Sequence, residues 1–158
     1  MGGGTPATVL LSRQRVWHRL HTYDVPATAP DYGRAVADAL GVPPQRLFKT
    51  LVTVVDGALT VAVVAVDGEL DFKALAAAVG GKRAALADQA VAERATGYVR
   101  GGISPLGQRR RLPTVVDSSV ERWETVYVSA GRRGLQVELA GSDLVRLTGA
   151  VLAPIGRD

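Results

Sequence analysis

The stretch RLFKTLVTVVDGALTVAVVAV, residues 46–66, decides the fold. Arg46 to Val55 is the strongest strand signal in the chain, rich in β-branched and apolar residues. Asp56-Gly57 is a two-residue turn of the kind that joins antiparallel strands, because both residue types tolerate positive φ. Ala58 to Val66 then returns along the first strand. Apolar residues fill both faces of both strands, which predicts a central hairpin covered on each side. Alternation puts Leu47, Lys49 and Leu51 on one face and Phe48, Thr50 and Val52 on the other. A lysine amid so much apolar surface calls for an explanation.

Outward from the hairpin, the chain reads as short elements on either side. Thr5 and Pro6 start a helix, as N-cap and first helical residue. Val9, Leu10, Arg13, Val16, Trp17 and Leu20 continue it at helical spacing. His21 to Asp24 is a short extended piece, and Asp31 precedes a second helix from Tyr32 to Leu40, closed by Gly41. Beyond the hairpin, Asp71 and Asp88 start helices running to Val79 and Ala95, with a short strand at Arg83 to Leu86 between them. Strands follow at Pro113–Asp117, Thr125–Ser129 and Leu135–Leu139, with Gly131-Arg132-Arg133-Gly134 as a turn. A last helix spans Gly141 to Leu147, and Ala150 to Ala153 closes the sheet. The expectation is one α/β domain over residues 1–158, a mixed, largely antiparallel sheet flanked by short helices. The irregular order of strands and helices disfavours a doubly wound parallel sheet.

Composition narrows the chemistry. The 158 residues are 47% hydrophobic and 22% charged, which suits a globular domain. No apolar run reaches the roughly 18 residues of a membrane span, and no basic-then-apolar leader opens the chain, so a cytoplasmic location is expected. The chain has no cysteine, which removes disulfides and any protein thiol nucleophile. Its two histidines, His18 and His21, lack a third ligand nearby and a Gly-x-Ser-x-Gly turn, so neither a zinc site nor a serine triad is expected. The net charge is +4, carried by 16 Arg and 3 Lys. Arg100, Arg109, Arg110, Arg111, Arg132 and Arg133 lie in or beside glycine-containing turns, which fits either a solvated face or contacts to a polyanion.

Gly97 to Gly107, GYVRGGISPLG, stands apart from generic α/β sequence. Its glycines allow close backbone approach and leave amides uncovered for a carbonyl or anion. Pro105 fixes its own φ and restricts Ser104, so the stretch reads as a shaped ligand loop.

The set Phe48-Lys49-Thr50-Leu51, Thr96-Gly97-Tyr98 to Leu112-Pro113-Thr114, and Tyr127-Val128-Ser129 to Leu139 resembles the YbaK/EbsC-type aminoacyl-tRNA deacylases, relatives of the editing domain of prolyl-tRNA synthetases. The match begins at Thr5-Pro6-Ala7, passes His21-Thr22-Tyr23 and Gly68 to Lys73, and covers nearly the whole chain. The resemblance implies a barrel-like sheet and a freestanding editing enzyme that acts on Cys-tRNA(Pro), with a deacylase of another small aminoacyl-tRNA such as Ala-tRNA(Pro) as the alternative. It implies Lys49 as the essential residue, Tyr23 and Thr50 lining its pocket, Gly101, Gly102, Ile103, Ser104 and Pro105 as the substrate loop, and Ser129 and Gly131 as a second edge. In the cysteine-specific branch the substrate's own thiol attacks its carbonyl, so no protein nucleophile, metal or cofactor is implied. Partnership with prolyl-tRNA synthetase follows by family analogy.

Two roles are open to Lys49 on physical grounds: a charge clamp on the terminal adenosine, or a general base with a pKa depressed by burial. The amides of Gly101, Gly102 and Ile103 could stabilise a developing oxyanion. With tRNA as substrate, the six arginines become candidate phosphate contacts. One departure stands out: the family often carries an acid where this chain has Gln136, and Glu138, on the same strand face, is the nearest substitute. That departure keeps a non-catalytic tRNA- or synthetase-binding module in view.

Overall fold

A computed structural model describes residues 4–157, and the hairpin sits at its centre. Strands β2 (Phe48–Val55) and β3 (Ala58–Ala65) pair antiparallel along their full length, from Phe48–Ala65 to Val55–Ala58. Asp56 at φ 48° and Gly57 at φ 87° make the turn. The Asp56 carboxylate accepts the N–H groups of Lys82 and Arg83 at 2.9 and 3.0 Å, tying the turn to the strand beside it.

Strand β1 (His18–Thr22), a strand pair β4 (Glu69–Leu70) and β10 (Gly156–Arg157), and strands β5 (Ala84–Leu86), β6 (Thr114–Asp117), β7 (Thr125–Arg132), β8 (Leu135–Ala140) and β9 (Val151–Ala153) complete the sheets. The order β5-β2-β3-β6-β9 forms a five-stranded mixed sheet, antiparallel on the hairpin side and parallel from β3 to β9. A second, antiparallel sheet has the order β1-β8-β7. A single bridge, Leu47 to Tyr127, joins the two in parallel sense. The expected mixed, largely antiparallel sheet is therefore present, and with one bridge between its two parts it is barrel-like without closing as a barrel. No helix among the described residues is long and apolar enough to cross a membrane.

Helices α1 (Pro6–Arg13), α2 (Tyr32–Leu40), α3 (Phe72–Ala78), α4 (Gln89–Thr96) and α5 (Gly141–Thr148) flank the sheets. Faces follow the expected alternation: Phe48, Val61 and Val63 join Leu11, Leu106, Val128 and Val137 in the largest core, whereas Val64 and Ala62 face Leu75 and Ile155 on the other side. A third cluster, Val36 and Ala37 of α2 with Leu47, Val66 and Tyr127, seals the junction between the sheets.

One element departs from the sequence reading. The first helix ends at Arg13, and His18 to Thr22 is a strand. Arg15, at φ 54°, turns the chain between them. A spacing of four, as in Val16 to Leu20, satisfies both a helix and an alternating strand, so the apolar pattern could not separate the two. The turn at Gly131 to Gly134 is also tighter than expected, with β7 running to Arg132 through a register shift.

Candidate functional site

Strands β2 and β7 run side by side, and beyond the Leu47–Tyr127 bridge the hydrogen-bonded ladder between them has a gap. Strand β2 is held by β5 only over Thr53–Val55, and by β7 only at the Leu47 bridge, so Lys49 to Leu51 pair with no strand on that edge. Continuing the parallel register by two residues sets Lys49 opposite Ser129. Ser129 pairs with Gln136, and Gln136 with His21. Lys49, Ser129, Gln136 and His21 thus form one row on one face, spread over four strands, and that face differs from the one that fills the main core. Thr50 borders the same gap from the opposite face of β2; it is half-buried and its Oγ1 has no partner among the described residues.

Within the row, Gln136 is 5% exposed and its Oε1 is buried without a donor. A buried amide oxygen left in that state costs about 1–3 kcal/mol. Glu138, the expected substitute for the missing acid, is already committed. It accepts from Thr125 Oγ1 at 2.6 Å, His21 Nε2 at 3.0 Å and Arg46 at 3.3 Å. Burial pushes its pKa up, but these three partners outweigh burial and hold the carboxyl below the ordinary range. It organises the sheet face and leaves the row without a free carboxylate.

The glycine loop is shaped as the sequence suggests. Its neck is closed by Arg109 N–H to Thr96 O at 2.9 Å and Arg110 N–H to Ala95 O at 3.0 Å. Tyr98, held at its amide by Thr96 Oγ1 (3.2 Å), reaches across and donates its hydroxyl proton to Leu106 O at 2.6 Å. Ser104 is fully buried, and its Oγ accepts Leu106 N–H at 3.1 Å, so its hydroxyl sets the turn before Pro105. Gly102 spends its N–H on Val99 O at 2.9 Å. Of the three amides expected to face an oxyanion, those of Gly101 and Ile103 have no such internal bond among the described residues.

The loop abuts the end of β7. A Cβ on Gly102 would lie 2.7 Å from Arg132 Cα, and one on Gly131 would lie 2.8 Å from Tyr98 Cε1. Thr5, whose hydroxyl caps α1 by accepting Thr8 N–H at 3.2 Å, also donates to Ala130 O, so α1 pins the same strand end. Tyr23 joins from the other side: its N–H donates to Gly134 O at 3.1 Å, and its hydroxyl meets that of Tyr32 at 3.0 Å. Burial, then the Tyr23 hydrogen bond, pushes the Tyr32 pKa up. The glycine loop meets β7 at Gly131 and Arg132, Tyr23 meets the turn after β7 at Gly134, and Lys49 and Thr50 lie on β2 beside the same strand.

The arginines separate. Arg132 and Arg133 lie against Gly102 and Gly101 at the loop tip. Arg109 packs back on Gly97, and Arg111 lies beside Gly149 after α5. Arg100, Arg110 and the others are exposed. His18 and His21, three apart on a strand, project to opposite faces. Three contributors escaped the sequence reading: Tyr32, the His21–Glu138 pair, and Arg46, whose guanidinium lies 5.2 Å from the Tyr127 ring centroid while donating to Thr125 O at 2.8 Å. Arg46 and His21 meet partners 79 and 117 residues away, and Tyr32 meets Tyr23 nine residues away across an irregular segment, so no periodicity marks them. A cavity of about 620 Å³ lined by Phe72, Lys73, Lys82 and Arg83 lies at the hairpin-turn end of β2, away from this row.

Residues 28–147 match the family model described as "Aminoacyl-tRNA editing domain". A protein of Enterococcus faecalis (strain ATCC 700802 / V583), "Putative Cys-tRNA(Pro)/Cys-tRNA(Cys) deacylase EbsC", is 43% identical over 124 residues, covering 77% of this chain and 74% of the relative. The "Multifunctional Ser/Thr-tRNA deacylase ProXp-y" of Escherichia coli (strain K12) is 34% identical over 87 residues, 54% of this chain and 52% of that protein. Among solved structures, that of "a putative trans-editing enzyme for prolyl tRNA synthetase" superposes with a TM-score of 0.82 over 99% of this chain and 100% of the other, at 22% identity, a likeness of fold.

Proposed function

The chain belongs to the aminoacyl-tRNA editing domain family, and from that membership we propose that this aminoacyl-tRNA deacylase works in trans in the cytoplasm on cysteine wrongly attached to proline tRNA. The observation that carries the reading is the row itself: Lys49, Ser129 and the unpartnered Gln136 Oε1 on one face of the gap between β2 and β7. A cationic group, a hydroxyl and a bare acceptor suit the terminal ribose and the amino group of an aminoacyl ester.

The reaction needs little from the protein beyond placement. The cysteine thiol gives up its proton as its sulfur attacks its own ester carbonyl, a carbon–sulfur bond forms, and the carbon–oxygen bond to the ribose breaks. The ribose oxygen takes up the proton, leaving free tRNA and a cyclic thioester that water opens. Lys49 acts as a clamp on the terminal adenosine, while the Gly101 and Ile103 amides face the carbonyl oxygen as its charge develops. Tyr23 and Thr50 bound the pocket, Gly102, Ser104 and Pro105 fix the loop, and Gly131 keeps the second edge low. Arg132 and Arg133 at the loop tip, with Arg100 and Arg109 to Arg111 farther out, contact tRNA phosphates. Prolyl-tRNA synthetase is the partner that would deliver the tRNA.

Incubation with Cys-, Ala- and Ser-tRNA(Pro) tests this. Release of cysteine first is expected. Release of alanine or serine alone would move the substrate class, and no release from any of them would leave a binding module.

A further inference from the structure

The corner Arg13-Gln14-Arg15-Val16-Trp17-His18-Arg19 between α1 and β1 is used by nothing described so far. It holds three arginines, a histidine and a tryptophan, with no acid among them. Trp17 is 54% exposed, unusual for so large an aromatic side chain, and the Arg19 guanidinium lies over its ring at 5.9 Å from the centroid. Arg15 sits in left-handed backbone without being glycine, a conformation that turns Trp17 and its neighbours out from α1.

Arg19 and His21 share one face of β1, Trp17 precedes the strand with its ring beneath the Arg19 guanidinium, and His21 is the residue paired with Gln136. That face therefore continues from the candidate site. From His21 to Trp17 is about 13 Å at the rise of an extended strand. A flexible chain that crosses this face from Ser129 to His21 and turns along β1 meets Arg19 and then Trp17.

We propose that this corner is a second nucleic-acid contact: Trp17 stacks on an unpaired base next to the aminoacylated end of the tRNA, and Arg13, Arg15 and Arg19 bind the adjoining phosphates. Aromatic stacking with flanking arginines is how proteins hold single-stranded nucleic acid without reading its sequence. The proposal rests on the deacylase reading for the identity of the RNA. The competing occupant is a second copy of this chain, since β1 is an edge strand; Arg19 on that strand disfavours edge pairing.

Trp123 is the other tryptophan, so Trp123→Phe leaves Trp17 as the only reporter. Titrating that full-length variant with uncharged tRNA(Pro) is expected to quench its fluorescence, and tRNA trimmed of its unpaired 3′ nucleotides is expected not to. If Trp123→Phe does not fold, the difference between wild type and Trp17→Ala reports the same signal. Replacing Arg13, Arg15 and Arg19 together by Ala should lower the salt dependence of tRNA binding by roughly three counterions. Trp17→Ala should lower kcat/KM on Cys-tRNA(Pro) on the order of 10-fold, and by far less on cysteinyl-adenosine, which has no RNA to stack. Equal losses on both substrates, equal quenching by trimmed tRNA, or a Trp17→Ala variant that turns a dimer into a monomer would each overturn the proposal. If wild type cleaves neither substrate, the deacylase reading fails, and the quenching comparison alone decides this surface.

Discussion

Gly102 and Arg132 touch backbone to backbone: a Cβ at Gly102 would sit 2.7 Å from Arg132 Cα, 2.8 Å from its carbonyl carbon and 2.9 Å from the Arg133 nitrogen. This contact sets the distance between the glycine loop and the end of β7. Gly102→Ala forces the two apart, because no flexible side-chain end is available to give way. The expected result is a loss of about 1–3 kcal/mol in a denaturation midpoint, the usual cost of overpacking, together with a larger loss of deacylation. Unchanged activity would show that loop spacing does not define the site.

Lys49 is half-buried and makes no ion pair among the described residues, so its charge is not needed to hold the strands. Lys49→Ala should leave the melting transition in place and lower single-turnover deacylation on the order of 10²-fold or more, as removal of one charge-stabilising donor does elsewhere. Full activity in that variant would remove Lys49 from the mechanism.

Gln136 gives the opposite pattern to an ordinary core substitution. Replacing it with Leu removes a buried acceptor that has no donor, so stability should hold or rise. If the oxygen receives the substrate's amine or hydroxyl, deacylation should fall in the same protein. A variant that loses stability and keeps activity would contradict both statements.

Acid should loosen the fold through two carboxylates. Burial works to raise the pKa of Asp117, but hydrogen bonds from Ser119, Gly156 and Ile155 outweigh it and keep the carboxyl below its ordinary 3.8; Glu138 is likewise held below 4.5. A depressed folded-state value means stability that is fully present above the unfolded value and is lost as pH falls through the folded one. Melting temperatures should therefore be flat above about pH 5 and drop below it. Glu138→Gln and Asp117→Asn should each flatten that acid limb while lowering the plateau at neutral pH.

Some of this was legible in the sequence for local reasons. The β2–β3 hairpin declares itself because strand pattern and Asp56-Gly57 turn agree within one stretch. Lys49 stands out in the sequence because a charge in a two-sided apolar strand has few structural explanations. The end of α1 was not, since Val16 and Leu20 suit two periods equally. Nor was the Glu138 network visible: Arg46, His21 and Thr125 reach that carboxylate from three separate elements, and only the assembled sheet brings them together. The Gly102 amide was misjudged for a related reason, because a glycine frees the backbone without fixing where its N–H points.

The strand pairing also orders events in time. The hairpin closes over a two-residue turn, whereas β1 must wait for β8, at the far end of the intervening chain, before His18 can meet Leu139. Loop closure of that span is the slow part of assembly. The edge of β2 beside Lys49 is completed by the late partner β7, so a refolding chain regains its secondary structure before the two sheets meet there. During that interval the edge of β2 beside Lys49, not yet covered by β7, is the surface most open to mispairing with another chain.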